Sequence, residues 1–464
     1  MNSNLPESLI DAIVKPVIPS QVVIPIGTSP CSIGEVPYVK PNPGTDVLQP
    51  LKTLQHRMLL EGRAVSDLSM VNPDLSPPRV VMDRLLESVT KPNNHRYAVS
   101  RGVRKLREAF SEKYRAAFSV AVDPEREVCV CLGSKDATYH AIRALVREGD
   151  RVIVGAPTYP AHFSAVALVG AESIPWVPVS DPAEAANSLA HTLKTSKSRL
   201  VILNFPNNPS GQVVSAEWWK AVVAVAQSNE AFVINDFVYG EMCFSGQPAP
   251  SLLSVGGLLS VGGLLSVGGG LRGVLEVYSL SKAYNVPGWR VGALVGDETI
   301  VQAVARHKSV ADYGLFLPLQ YASAGALTAS EDLVRPTVTA YERRIKVLSQ
   351  GLKRLGWSVV EPAAGASVWA RFSGELLAEA REFFVCREGS PERHPIENAS
   401  SIATEVDQYG DSDSSCVARL LLEKYGVLVA PGIAFGGAFD GFVRFAAVMP
   451  EERLRDVVSA LSSR

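Results

Sequence analysis

A single lysine, Lys282, stands among hydroxyl residues in Ser279-Leu280-Ser281-Lys282-Ala283-Tyr284-Asn285. It follows the apolar run Val274-Leu275-Glu276-Val277-Tyr278, which predicts a strand, and Arg290 lies eight positions beyond it. A lysine amine without its proton is a nucleophile that forms a Schiff base with an aldehyde. The Ser279 and Ser281 hydroxyls and the Arg290 guanidinium are donors suited to a phosphate. Together these types point to an aldehyde cofactor that carries a phosphate. A Ser-x-Ser-Lys alone more often marks a surface lysine after a buried strand; the whole string, at this place in the chain, reverses that balance. Gly133-Ser134-Lys135-Asp136-Ala137 offers a second phosphate site, because a helix begins there and its first N–H groups bind anions. Ser134 also reads as an ordinary N-cap, which is compatible with that role. Asp236 ends the apolar run Phe232-Val233-Ile234-Asn235, as a buried anion or as a turn cap. Asn207-Asn208-Pro209-Ser210-Gly211 reads as a tight turn.

These residues need strands and helices to hold them. From residue 128 strand-like and helix-like runs alternate. Strands are expected at 128–132, 151–155, 173–177, 199–204 and 231–234. Helices are expected at 135–146, 160–169, 183–195 and 216–228. Strands with few polar positions, separated by helices, imply an α/β fold with a mostly parallel sheet covered on both faces. Ligands bind at the carboxyl ends of such strands, which is where Ser134, Asn208, Asp236 and Lys282 fall. Upstream, a helix is expected at 51–62, a short strand at 65–70, and helices at 78–89 and 102–118. Past residue 306 the pattern changes. A long helix at 333–355, strands at 357–361, 367–372, 427–430 and 442–446, and helices at 415–425 and 451–461 predict a smaller α+β domain. The expected organisation is an irregular arm at 1–50, the start of the small domain at 51–77, a large domain at 78–310 and the small C-terminal domain at 311–464. The charged stretch 374–413 reads as an irregular surface insertion.

The ordered segments resemble fold-type I pyridoxal phosphate (PLP) enzymes, in particular the class I/II aminotransferases. Ser69-Met70-Val71-Asn72-Pro73-Asp74, His95–Gly102 and Pro157–Pro160 are most similar to the alanine–glutamate and LL-diaminopimelate branch. The resemblance implies an aspartate aminotransferase-like fold and PLP as cofactor. It implies that Lys282 anchors the cofactor aldehyde and then moves the substrate proton. Asp236 would face the pyridine N–H, and Tyr239 and Asn208 would donate to the phenolic oxygen. Tyr159 would stack on the ring. Ser134, Lys135, Ser279, Ser281 and Arg290 would form the phosphate cup. Arg444 would grip the substrate α-carboxylate through its planar guanidinium. Tyr97 would reach the phosphate of a neighbouring subunit, so a homodimer is implied. Val71 stands where the family usually has glycine, beside the substrate, and there its β-branched side chain is expected to narrow the pocket or move the strand. The implied reaction is ping-pong transfer of an amino group between an amino acid and a 2-oxo acid. The same anchor residues also serve C–S β-lyases and aminocyclopropane-carboxylate synthases. A PLP-binding transcription regulator would need a basic winged-helix domain ahead of residue 51, and residues 1–50 are too short and too weakly basic for one.

Composition bounds the partners. The chain has 464 residues, 47% of them apolar and 20% charged, with net charge −2, so nothing marks it for nucleic acid or anionic membrane. No apolar run approaches the roughly 20 residues of a spanning helix. The six cysteines form no CxxC pair, so neither a zinc site nor a disulfide framework is expected. Cys129 and Cys131 alternate in a strand and are expected to face one side as core. Met1–Glu7 lacks the features of a signal peptide, and a cytoplasmic setting is expected. Leu-Leu-Ser-Val-Gly-Gly occurs three times in succession over 252–269, which is too short a period for a solenoid. Pro250 lies 32 positions before Lys282, and removing two copies leaves 20, a spacing similar to the family's. The extra copies are expected to bulge away from the site.

Overall fold

The computed structural model describes residues 47–256, 271–330, 332–388 and 412–462. Most of the expected N-terminal arm, the repeat from residue 257, and residues 389–411 of the expected insertion lie outside these.

After the short β1 (Ser66–Asp67), seven strands build the main sheet: β2 (Val128–Cys131), β3 (Arg151–Gly155), β4 (Glu172–Trp176), β5 (Leu200–Leu203), β6 (Phe232–Asp236), β7 (Val274–Ser279) and β8 (Gly292–Gly296). Their order is β2-β8-β7-β6-β5-β3-β4. Only β8 runs against the rest, pairing antiparallel with β2 and β7. The fold class is therefore the expected mixed, mostly parallel α/β sheet. Alternation explains its burial on both faces. Val128 and Val130 join one apolar cluster, while Cys129 and Cys131 join the other. Val201 and Leu203 likewise oppose Leu200 and Ile202. Each such buried aliphatic side chain contributes roughly 1.5–3 kcal/mol.

A smaller antiparallel sheet contains β9 (Ser358–Val360), β10 (Ser367–Arg371), β12 (Ala430–Pro431) and β13 (Phe442–Ala446), in the order β12-β13-β10-β9. The strand expected at 427–430 is split. Its first part, β11 (Val427–Leu428), pairs parallel with β1. The long helix Arg335–Arg354 carries Pro336 in its first turn, where a missing N–H leaves no bond unmade.

Four further features differ from the sequence expectation. β8 and the helices Glu298–Ala311 and Leu317–Leu327 were not anticipated. The stretch from 374 is not irregular throughout, because Gly374–Glu388 is a helix. Its Leu376 and Ala380 are fully buried, and it packs on the helix Asp413–Tyr425. Of its described charges, Glu375, Arg381 and Glu382 are exposed. Among the described residues no helix is long and apolar enough to cross a membrane.

Candidate active site

The carboxyl ends of β2, β3, β5, β6 and β7 open onto a cavity of about 740 Å³. Arg444 reaches it from β13, and Val71 from the segment after β1. Thirteen positions were expected at this site. The structure brings eleven of them to the cavity wall and leaves Ser279 and Tyr97 off it.

Lys282 follows β7, and its Nζ donates to the Val71 carbonyl. Burial pulls its pKa down to about 8, and the Arg444 charge adds to the fall while Asp236 opposes it. The amine is thus far closer to its nucleophilic form at neutral pH than a solvated lysine. Asp236 ends β6. Its Oδ2 lies 3.1 Å from His162 Nε2, and His162 Nδ1 lies 2.8 Å from Thr158 Oγ1. Its Oδ1 is buried and has no hydrogen-bond partner. A buried carboxylate oxygen without a donor is costly, so this atom is suited to a ligand N–H. Burial raises the Tyr239 hydroxyl, although the Arg444 charge pulls it the other way, so it remains a protonated donor.

The turn after β5 distinguishes its two asparagines. Asn207 is occupied with the turn itself: its Nδ2 donates to the Pro157 carbonyl at 2.9 Å, and its Oδ1 accepts from Ser210 N at 3.0 Å. Asn208 faces the cavity and accepts from Arg444 Nη1 at 3.0 Å through Oδ1, which leaves its Nδ2 as a donor. Arg444 also donates to the Ser69 carbonyl through Nη2 and lies 4.9 Å from the Phe435 ring centroid. Its Nε is buried without a partner.

The helix Ser134–Leu145 opens toward the cavity. Gly133 precedes it with φ +84° and ψ −178°, a conformation almost restricted to glycine. A Cβ there would stand 2.6 Å from Arg290 Nη2, so the guanidinium lies directly over this turn. Arg290 Nη2 donates to the Leu132 carbonyl at 3.2 Å. Ser281 lines the cavity beside them. Ser279 stands behind it, its hydroxyl 2.9 Å from Ser281 Oγ and 3.2 Å from the Val291 carbonyl oxygen. Helix N–H groups, a serine hydroxyl and a guanidinium make a cradle for a phosphate. Lys135 Nζ sits 5.5 Å from the Tyr159 ring centroid, and Tyr159 lines the wall nearby. Tyr97 is 84% exposed, with its ring 4.7 Å from that of Tyr313.

The model of the aminotransferases of class I and II matches residues 63–461. The chain belongs to that family. It is 34% identical to the glutamate-pyruvate aminotransferase AlaC of Escherichia coli (strain K12) over 404 residues, 87% of each chain. It is 30% identical to the LL-diaminopimelate aminotransferase of Moorella thermoacetica, over 86% of this chain and 90% of that one. The substrate-bound structure of BacF from Bacillus subtilis superposes with TM-score 0.72 at 26% identity, covering 89% and 93% of the two chains. A double mutant of Thermus thermophilus aspartate aminotransferase shares the fold, with TM-score 0.73 at 24% identity over 91% and 96%. The chain is thus an aminotransferase of the PLP-dependent family. The cavity fits PLP: an unmet buried carboxylate oxygen, a lysine with a depressed pKa and groups that could hold a phosphate line the same cavity.

Sequence reasoning missed two residues here. His162 is the one titratable side chain on the helix Ala161–Leu168, a signal that was available. Asn204 lines the cavity, donates to the Asp236 carbonyl at 2.7 Å and accepts from Asn208 N at 2.9 Å, so it ties the two loops together.

Proposed function

We propose that this aminotransferase moves an amino group from an amino acid to a 2-oxo acid in two half-reactions, with Lys282 as cofactor anchor and proton carrier. When bound, PLP supplies an electron sink at the substrate α-carbon and a carrier for the amino group. Asp236 Oδ1 would accept from the pyridine N–H, with His162 orienting the carboxylate. Tyr239 and the Asn208 Nδ2 would donate to the phenolic oxygen, and Tyr159 would stack on the ring. Ser134, Lys135, Ser281 and Arg290 hold the phosphate, with Ser279 setting the Ser281 hydroxyl. Arg444 grips the α-carboxylate, and Asn208 and the Ser69 carbonyl fix its plane. The Lys282 amine, once free, would be the base that takes the proton from the substrate α-carbon. In this reading residues 78–310 form the cofactor-binding domain, and residues 51–77 and 311–464 the domain that presents the carboxylate grip.

The observation that carries this reading is the meeting of Lys282, depressed to about 8, with the unpaired Asp236 Oδ1 in one buried cavity. The reading includes a homodimer. Tyr97, Val99, Val310, Tyr313 and Phe316 are exposed, the Tyr97 ring meets that of Tyr313 at a 40° tilt, and the Phe316 ring lies 5.6 Å from that of His95. An exposed aromatic patch of this kind supports a second copy as its cover. The free thiols of Cys129, Cys131 and Cys243 support a reducing, cytoplasmic setting.

A half-reaction screen of amino acids, followed through the cofactor absorbance, tests the function; alanine, glutamate and LL-diaminopimelate come first. Lys282→Ala removes the visible absorbance of the bound cofactor and nearly all turnover. Normal turnover in that variant sinks the scheme, and pyruvate with ammonia released from cystathionine would instead mark a lyase.

A further inference from the structure

We propose that Glu241, paired with Lys113, is a positioning residue that holds the Lys282 loop and the Asp236–Tyr239 loop in a fixed relation beneath the cavity. The proposal rests on the aminotransferase reading above.

Glu241 lies two residues after Tyr239 and five after Asp236. Its side chain is 9% exposed, and that of Lys113 16%. Each carboxylate oxygen has a different task. Oε1 accepts from Lys113 Nζ at 2.6 Å, which ties the loop to the helix Arg104–Phe118. Oε2 accepts from the Tyr278 hydroxyl, which ties it to β7 four residues before Lys282. Lys113 Nζ also lies 5.8 Å from the ring centroid of Tyr284, two residues after Lys282. The segment that carries the anchor lysine is therefore flanked by Tyr278, bonded to Glu241, and by Tyr284, near Lys113, and Glu241 belongs to the loop of Asp236 and Tyr239.

None of these four groups lines the cavity, so none acts on substrate. Burial alone would lower the Lys113 pKa, but the Glu241 carboxylate holds it above the ordinary lysine value. Burial, reinforced by the Glu241 charge, raises both Tyr278 and Tyr284, so both keep their protons. A buried ion pair is weak evidence for stability, because desolvation offsets most of its attraction. What it supplies here is direction. Apolar packing could fill the same space without fixing which strand meets which loop. A misplacement of about 1 Å at a reacting amine is worth up to about 100-fold in rate.

The test compares Glu241→Gln, Tyr278→Phe and Lys113→Arg with the wild type, as holoenzyme and as apoprotein. In the half-reaction, Glu241→Gln and Tyr278→Phe lower kcat by about 10–100-fold while the donor KM moves much less. In the apoprotein, the pH midpoint for capture of added PLP rises in both variants, because a loosened Lys282 is better solvated. Lys113→Arg keeps the charge and stays near wild-type values. Wild-type kcat with an unshifted midpoint in either folded variant overturns the proposal. So does a drop confined to thermal stability. Tyr278→Phe removes one oxygen only and decides the matter if Glu241→Gln does not fold. A wild-type enzyme inert toward every amino donor would sink the aminotransferase reading itself, while the capture midpoint still tests Glu241.

Discussion

Lys282 must lose a proton before it can attack an aldehyde, and its surroundings favour that loss. With a pKa of about 8 instead of 10.5, roughly a tenth of the amine is neutral at pH 7, against about one part in 3000 for the ordinary value. The capture rate of PLP by the apoprotein should therefore rise about tenfold between pH 6 and pH 7 and level off above about 8. The neighbours act with opposite signs. Asp236 raises the lysine value and Arg444 lowers it. Asp236→Asn should move the capture midpoint down and Arg444→Met should move it up, as stopped-flow absorbance across pH would record. Movement in the same direction would contradict this electrostatic account. The chemistry-bearing types were legible in the chain because few residues can do such work: a lysine after a buried strand, a carboxylate at a strand end, an arginine in a strand. Supporting partners were not. His162 bonds Asp236 across 74 positions, a pairing that only the folded sheet creates. Asn207 and Asn208 are adjacent and chemically identical, and the turn alone decides that Asn207 serves the backbone while Asn208 faces Arg444.

The element that receives the phosphate in the proposed scheme depends on one glycine. Gly133→Ala forces an L side chain into a conformation that costs about 1–3 kcal/mol, and its methyl meets Arg290 at 2.6 Å. PLP affinity of the apoprotein should fall by at least about tenfold, measured by titration, with the cavity's carboxylate grip unaffected. Unchanged affinity would remove this turn from the phosphate site. The repeat raises the opposite expectation. Its near end is fixed by Glu276 on β7, which accepts from Ser251 Oγ at 2.8 Å and from Leu252 N at 2.6 Å. Burial pushes that carboxyl up to about 7, with the Ser251 and Leu252 hydrogen bonds pulling back. Beyond the repeat, Leu271 is buried. Deleting residues 258–269 leaves both anchors, and shortening the connection changes closure entropy by less than about 1 kcal/mol. Turnover should be preserved, and its collapse would show that the extra copies touch the site. Periodicity located the parallel strands and most helices because each has one dominant period. It failed at β8, a run of five residues that begins and ends on glycine, a residue depleted in strands. It failed also at Gly374–Glu388, where charge masked a helical stripe of Leu376 and Ala380.

At the scale of the molecule, residues far apart in the chain converge: Val71 from the segment after β1, Lys282 from the main sheet and Arg444 from the smaller one. Their convergence could be anticipated only from the order of the motifs, because no local pattern encodes it. Tyr97 is the exception. It lies off the wall of its own cavity with 84% of its surface exposed, against Tyr313, another exposed ring. In a two-fold dimer the same patch meets itself, so each cavity would combine its own Lys282 with the partner's Tyr97. That arrangement has a signature no single chain can produce. Lys282→Ala homodimers lack the anchor in both cavities, and Tyr97→Ala homodimers lack the crossing tyrosine in both. When the two are unfolded, mixed and refolded, a heterodimer holds one cavity with both defects and one with neither. Random exchange makes about half of the dimers heterodimers, so about a quarter of wild-type activity should return from two nearly inactive parents. Size-exclusion chromatography with light scattering would verify the dimer before mixing. Recovery would establish that Tyr97 works across the interface. A Tyr97→Ala protein as active as the wild type, or a mixture as inactive as its parents, would confine the working cavity to one chain.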